Sequence, residues 1–245
     1  MTAFARLRAT PTIGLAALLV VGSLALSACS DDGGKRATST SRPTTTVTTA
    51  PSTTAATAPA TTAAESTAEA VWPWAASGTR YSDPDAAARG FATDLVGFTD
   101  PVVGEYRAGD SRSGEVDVRA KATSAPTTVL VRQINGSWWV LGSTTADIQV
   151  SAPAAGTSIT SPVTMAGAST AFEATVNVRL VADGSATPIA STFVIGGSMD
   201  TMGPFTGSLE FASPGAGTSG SLVFLTFSAE DGRVLIASTL RVHFA

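Results

Sequence analysis

A single cysteine, Cys29, ends the run Leu26-Ser27-Ala28-Cys29, behind an apolar stretch from Ile13 to Ala28 and two arginines, Arg6 and Arg8. A positive start, a hydrophobic middle and a small-residue cleavage site are the layout of a secretory signal peptide. The stretch is shorter than the about 20 apolar residues that a membrane-spanning helix needs. A cysteine directly behind such a site makes a lipobox, in which the thiol takes a diacylglycerol and becomes the first residue of the mature chain. Two or three acyl chains hold a membrane far more firmly than one. The competing reading is ordinary cleavage with an incidental thiol. A lone thiol also excludes an intrachain disulfide.

The other residue types that carry chemistry are sparse. His243 is the only histidine. It alternates with Val242 and Phe244, so it is expected to face away from the core. Without a second histidine or a further cysteine, zinc binding and Ser-His or Cys-His catalysis lack their groups. Asp83, Asp94, Asp100, Asp110, Asp117 and Asp147 do not follow the spacing of a Ca²⁺ loop. Glu173 has no acidic neighbour in sequence and is read as bonding loop amides or solvent. Neither a phosphate loop nor a dinucleotide fingerprint is present. The chain is therefore expected to have no catalytic residues, no metal and no cofactor. The one enzyme class left open is a paired-carboxylate hydrolase, because such pairs assemble in space.

Recognition residues are more visible. Trp72 and Trp74 flank Pro73, Trp138 and Trp139 are adjacent, and Met199 and Met202 lie in a Gly-rich loop from Gly196 to Pro204. These six are the candidate ligand or partner contacts. Each has a plainer role beside it: Trp72 and Trp74 as a staple on the preceding segment, the second pair as core and cover, the methionines as a loop over one end of the fold. Fifteen basic and 19 acidic side chains give a net charge of −4, and losing Arg6 and Arg8 with a signal peptide makes the remainder more acidic. Such a balance with scattered cations excludes a nucleic-acid surface.

Four segments position these residues. Residues 1–28 are the signal peptide. Residues 29–70, the lipidated Cys29 followed by Ser, Thr, Ala and Pro with few charges, cannot bury enough surface to offset their ordering entropy and are expected to form a disordered stalk. The Thr-Pro-rich character also fits O-glycosylation. Residues 71–146 hold all four tryptophans and both tyrosines, and are expected to form a small α+β module. There Ser82-Asp83-Pro84-Asp85 starts a helix with Ala88, Phe91, Leu95 and Phe98 on its buried face, and Gly97 and Asp100-Pro101 end it. Strands follow at Glu115–Ala120, Val129–Ile134 and Trp138–Leu141, the last two joined by the Asn135-Gly136 turn. The order of elements and the NGSWWVLG hairpin resemble nuclear-transport-factor-like and cystatin-like modules.

Residues 147–245 read as short strands. Val176, Val178 and Leu180 alternate with Asn177, Arg179 and Val181 before an Asp183-Gly184 turn. Val163, Met165 and Gly167 form a shorter strand, and Phe172 is expected to plug the end of the fold. Asp147–Val150 leads in, and Ile189–Ile195, Phe205–Phe211, Leu222–Ser228 and Val234–Phe244 follow, the last two joined at Asp231-Gly232. SPVTMAG, FEATVNVRLVADG and SAEDGRVL resemble the bacterial spore-germination-associated immunoglobulin-like domain, which often follows a GerMN domain in envelope proteins. The resemblance covers about Ile148 to Phe244. It implies an immunoglobulin-like fold and an envelope role, here at the C-terminus of an actinobacterial-type lipoprotein, and supplies no catalytic residues.

The expected fold class is mainly β: a C-terminal immunoglobulin-like β-sandwich preceded by one helix on an antiparallel sheet. The expected function is that of a non-catalytic, lipid-anchored, extracytoplasmic protein. Its partners are the cell membrane, through Cys29, and an envelope protein or polysaccharide. The alternative is a small-ligand carrier or sensor with a pocket between the helix and the sheet of the α+β module.

Overall fold

A computed structural model describes residues 65–245. The expected signal peptide, the expected lipobox with Cys29 and the expected stalk up to residue 64 lie outside the described residues. Among the described residues no helix is long and apolar enough to cross a membrane.

One helix, α1, spans Pro84–Gly90. Asp83 caps it by accepting the Ala86 amide at 2.8 Å, Pro84 fills the first turn, where no donor is missed, and Asp85 lies beside the positive end. The chain continues from Phe91 to Val96 in a wider turn, and Gly97 closes it in the left-handed conformation that glycine adopts without strain. Ala88, Phe91, Leu95 and Phe98 are all buried, as their spacing requires.

Thirteen strands follow. The first four, β1 (Val102–Ala108), β2 (Ser113–Arg119), β3 (Thr127–Ile134) and β4 (Ser137–Thr144), form an antiparallel meander beside the helix. Asn135 and Gly136, both at positive φ, make the β3–β4 turn. Next come β5 (Ile148–Ala152), β6 (Thr157–Ile159), β7 (Val163–Ala171), β8 (Thr175–Ala182) and β9 (Ala190–Ile195). The series ends with β10 (Gly197–Ser198), β11 (Gly203–Leu209), β12 (Ser219–Phe227) and β13 (Val234–Phe244).

From β5 onward the strands make two facing sheets. One carries β5, β10 and β11 on β7; the other runs β13-β12-β8-β9, with β6 parallel to the end of β13. Met165, Val178, Leu180, Phe205, Leu222 and Phe224 fill the space between them. β9 is the far edge and turns Phe193 and Ile195 outward to solvent.

The second sheet does not stop at residue 147. Thr239 on β13 pairs with Ser143 on β4, so the meander and the sandwich share one sheet in the order β1-β2-β3-β4-β13-β12-β8-β9. β12 is consequently covered on both faces. Leu222 and Phe224 enter the sandwich core, whereas Val223 and Leu225 join Phe91, Leu95 and Val96 in the helix-side core. This matches its unbroken apolar run, the mark of a strand covered on both sides. Buried hydroxyls tie the junction: the Ala237 amide donates to Thr127 Oγ1 at 2.9 Å, Ser143 Oγ donates to the Ala237 carbonyl at 3.1 Å, and Ser238 Oγ donates to the Ile148 carbonyl at 2.7 Å.

The end of the expected stalk is docked as well. Ala70 and Val71 are buried, the Val71 amide donates to the Val140 carbonyl at 2.8 Å, and the Val140 amide donates to the Trp72 carbonyl at 2.7 Å. Arg241, almost wholly buried, donates to the Ala68 carbonyl at 2.9 Å and makes two 2.7 Å contacts with the Asp183 carboxylate. A buried guanidinium is tolerated when paired and hydrogen-bonded in this way.

Candidate functional site

Two of the four tryptophans, Trp72 and Trp139, are buried, and Trp74 and Trp138 are half-buried against their neighbours. Trp72 is buried against the helix-side core, its indole N–H donates to Tyr81 Oη at 3.2 Å, and Trp74 meets it edge-on at 4.9 Å. Trp138 and Trp139 point to opposite faces of β4, as two consecutive strand residues must. Trp138 packs against the helix-side core and edge-on to Tyr106 at 5.2 Å. Trp139 is buried on the other face with Ala70 and Ile134; its N–H donates to the Ile134 carbonyl at 3.3 Å, and Arg80 lies 4.9 Å over its ring. The space between helix and sheet is occupied by Trp72, Phe91, Leu95, Val96 and Phe98.

His243 faces away from the sandwich core, between the buried Val242 and Phe244. It is half-buried and engaged: Nδ1 lies 2.9 Å from Ser219 Oγ, and Nε2 lies 3.7 Å from Glu69 Oε1. Among the described residues no group of three or more metal-binding side chains gathers.

The open site lies at one end of the sandwich. Phe172 does not plug that end as expected. The chain from Phe172 to Ala174 makes a tight turn with Glu173 and Ala174 at φ of 57° and 59°, and this throws the Phe172 ring outward, 58 % exposed. Beside it, Gly197 and Ser198 of β10 run parallel to Thr170 and Ala171, and the Gly196 amide donates to the Ala174 carbonyl at 2.9 Å. The next turn holds Met199 and Asp200 at φ of 50° and 62°, closed by the Thr201 amide on the Ser198 carbonyl at 3.0 Å. Glycine is required at Gly197, because a Cβ there would sit 2.0 Å from the Thr201 carbonyl oxygen. Met199 is 77 % exposed and Met202 is exposed as well.

These two turns border a cleft of about 500 Å³. Ala171, Leu235 and Ile236 line its depth with Thr170 and Thr226; Phe172, Met199 and Asp200 form one rim, and Asp147 and the Ser124-Ala125 loop contribute from the meander side. Four of the six described non-glycine residues at positive φ belong to the two rim turns. Each such residue costs about 1–3 kcal/mol, and strain of this kind concentrates where a site is held in shape.

Of the six candidate contact residues, Met199 alone lines the cleft; Trp72 and Trp139 are buried and Trp74 and Trp138 half-buried away from it, and Met202 is exposed on the same loop without lining it. Asp147, Asp200, Leu235, Ile236, Ser124 and Ala125 were not singled out as contacts by sequence, since no local spacing joins positions 124, 147, 200 and 236. Two further features of charge lie elsewhere. The Arg107 hydrogen bond holds the Asp117 carboxyl below its usual range, helped by Thr128 and Arg119 and opposed by burial. Burial, with Asp83 and Glu105 nearby, raises that of Asp85 at the helix start.

Comparison with curated proteins and with solved structures gives no match. A family comparison does: residues 147–233, the sandwich up to the start of β13, match the immunoglobulin-like domain of bacterial spore germination, and the two-sheet topology from β5 to β13 is that of an immunoglobulin-like sandwich. By this match, residues 147–233 are similar to the immunoglobulin-like domain of bacterial spore germination.

Proposed function

We propose that the protein is a non-catalytic, extracytoplasmic binding module, anchored by a lipid on Cys29, that uses the open end of its sandwich to hold an envelope partner. The observation that carries this reading is the pairing of an open, strained cleft rimmed by exposed Phe172 and Met199 with a helix–sheet interior that is filled by large side chains. A scaffold fills its interior and presents its loops; a carrier needs the interior empty. The filled interior therefore favours partner binding over the small-ligand carrier.

Catalysis by two carboxylates would need an enclosed pair, one of them kept protonated by its surroundings. Asp147 and Asp200 share the cleft, but Asp200 is exposed, and neither carboxylate accepts a hydrogen bond among the described residues. The cleft has the makings of a recognition surface and lacks the positioned acid and base of a hydrolase.

Two measurements test the reading. Cys29→Ser is expected to leave an unlipidated precursor that no longer partitions with membranes; unchanged maturation would remove the anchor from the proposal. The full chain, incubated with cell-envelope extract, is expected to retain an envelope protein or polymer. Retention of neither would overturn the binding role.

A further inference from the structure

The cleft has a chemistry of its own. Its depth is mainly aliphatic, from Ala171, Leu235 and Ile236 beside Thr170 and Thr226, and its rim carries Phe172 and the flexible Met199. Both charged residues that line it, Asp147 and Asp200, are acids. Neither has an ion-pair partner among the described residues, whereas the two cations near the Ser124 loop are already engaged. Arg119 donates to the Ser124 carbonyl at 2.8 Å and lies 3.5 Å from Asp117. Lys121 lies 3.1 Å from Glu230 and 3.8 Å from Asp231. An apolar floor with unneutralised carboxylates above it is complementary to an apolar group joined to a cation.

We infer that this cleft docks an extended segment of a partner protein, with an apolar side chain on the Leu235–Ile236 floor and a neighbouring Lys or Arg between Asp147 and Asp200. This deepens the partner-binding reading above and rests on it. A polysaccharide fits the cleft poorly: no Trp or Tyr lines it as a platform for a sugar ring. A volume of about 500 Å³ takes more than one side chain, which a peptide supplies and a single small amine does not. Met199 can repack around different apolar residues because its unbranched thioether adapts its shape. The two rim turns, held in unfavourable backbone conformations, keep the opening from collapsing onto Phe172.

The test uses the full chain and three labelled peptides, flanked by Gly and Ser, with Leu-Lys-Leu, Leu-Gln-Leu or Leu-Glu-Leu at the centre; n-hexylamine is the small-molecule control. Fluorescence anisotropy is expected to show the Lys peptide bound about tenfold or more tightly than the Gln peptide, as a charge-assisted contact predicts, with the Glu peptide weakest. Asp147→Asn and Asp200→Asn are each expected to bring the Lys peptide toward the Gln peptide without weakening the latter. Asp200 is exposed in a turn between β10 and β11, so its variant is expected to fold as the parent does, and a matched melting curve checks this. Met199→Ala is expected to weaken the Lys and Gln peptides alike. Equal affinity for the Lys and Gln peptides, no binding of any peptide, or hexylamine competing as tightly as the peptide would each overturn the inference. In the envelope assay, an Asp147→Asn/Asp200→Asn variant that retains the same partner as the parent sinks the inference while the binding role stands. A parent chain that retains nothing sinks the binding role, whatever the peptides do.

Discussion

Two charged constellations give opposite consequences at the scale of single residues. Asp117 lies 2.9 Å from Arg107 and accepts from Thr128 Oγ1 at 2.9 Å, and the Arg107 hydrogen bond holds its carboxyl below the usual range. A depressed carboxyl stabilises the fold above the unfolded value of about 3.9 and stops doing so as pH falls through the folded value. Asp117→Asn is therefore expected to lower stability in urea at pH 7, with the gap from the parent narrowing as pH falls below the ordinary carboxylate range; a gap that does not change with pH would contradict this. Arg241 and Asp183 differ because burial is uneven, 5 % exposure of the Arg side chain against 29 % for the Asp. Removing the acid leaves a buried cation with only the Ala68 carbonyl, whereas removing the cation leaves an acid that water can reach. Asp183→Ala is expected to cost about 3 kcal/mol, and Arg241→Met less, by chemical denaturation. The reverse order would show that the guanidinium's packing matters more than its charge.

At the scale of elements, the helix is fastened by an apolar face that touches both parts of the sheet. Leu95 is 5 % exposed and shares a core with Val116 and Val118 of β2 and Val223 and Leu225 of β12. Leu95→Ala is expected to cost about 2–5 kcal/mol through lost contacts and a residual cavity; a loss below 1 kcal/mol would mean that the helix is not held by this face. β1, like the short β6 and β10, is an element that sequence did not reveal. Gly104 and the register shift between Val103 and Tyr106 break its alternation, and only part of it is covered. A bulged edge strand of this kind carries no clean period of two.

For the whole molecule, the continuous sheet has a direct consequence for folding units. A fragment of residues 147–245 matches the length of an immunoglobulin-like domain and is the independent unit that sequence suggests. In the structure it would expose Val181, Val223, Leu225, Val234 and Ala237, which are buried on the helix side. The fragment is expected to be less stable than the chain that includes the meander, or to self-associate through that face. Thermal unfolding compared with a chain beginning before Glu65 measures this. A fragment melting at the same temperature, as a monomer, would show that the shared core contributes nothing.

Local order was legible because its causes are local. Pro84 with Asp83, the Asn135-Gly136 turn, and the alternation of Val116 with Val118 and of Val176, Val178 and Leu180 each specify a conformation within a few residues. The sandwich was legible as a family resemblance carried by the same strands and turns. The cleft was not, because its walls come from positions 124, 147, 170–172, 199–200, 226 and 235–236, which only the closed sheet brings together. Phe172 illustrates the limit most clearly: its apolarity argues for burial, yet the positive-φ turn that follows it, fixed by the Gly196–Ala174 hydrogen bond, turns the ring outward. The engagement of the four tryptophans was equally a tertiary matter, since an aromatic on a strand is core or surface according to what packs across it. Residue pattern determined the helix start, the longer strands and their tight turns, and together with the family resemblance the class of the fold. Which faces were covered twice and which end stayed open were decided only by the pairing of β4 with β13 and the backbone of the two rim turns, because burial is set by neighbours distant in the chain.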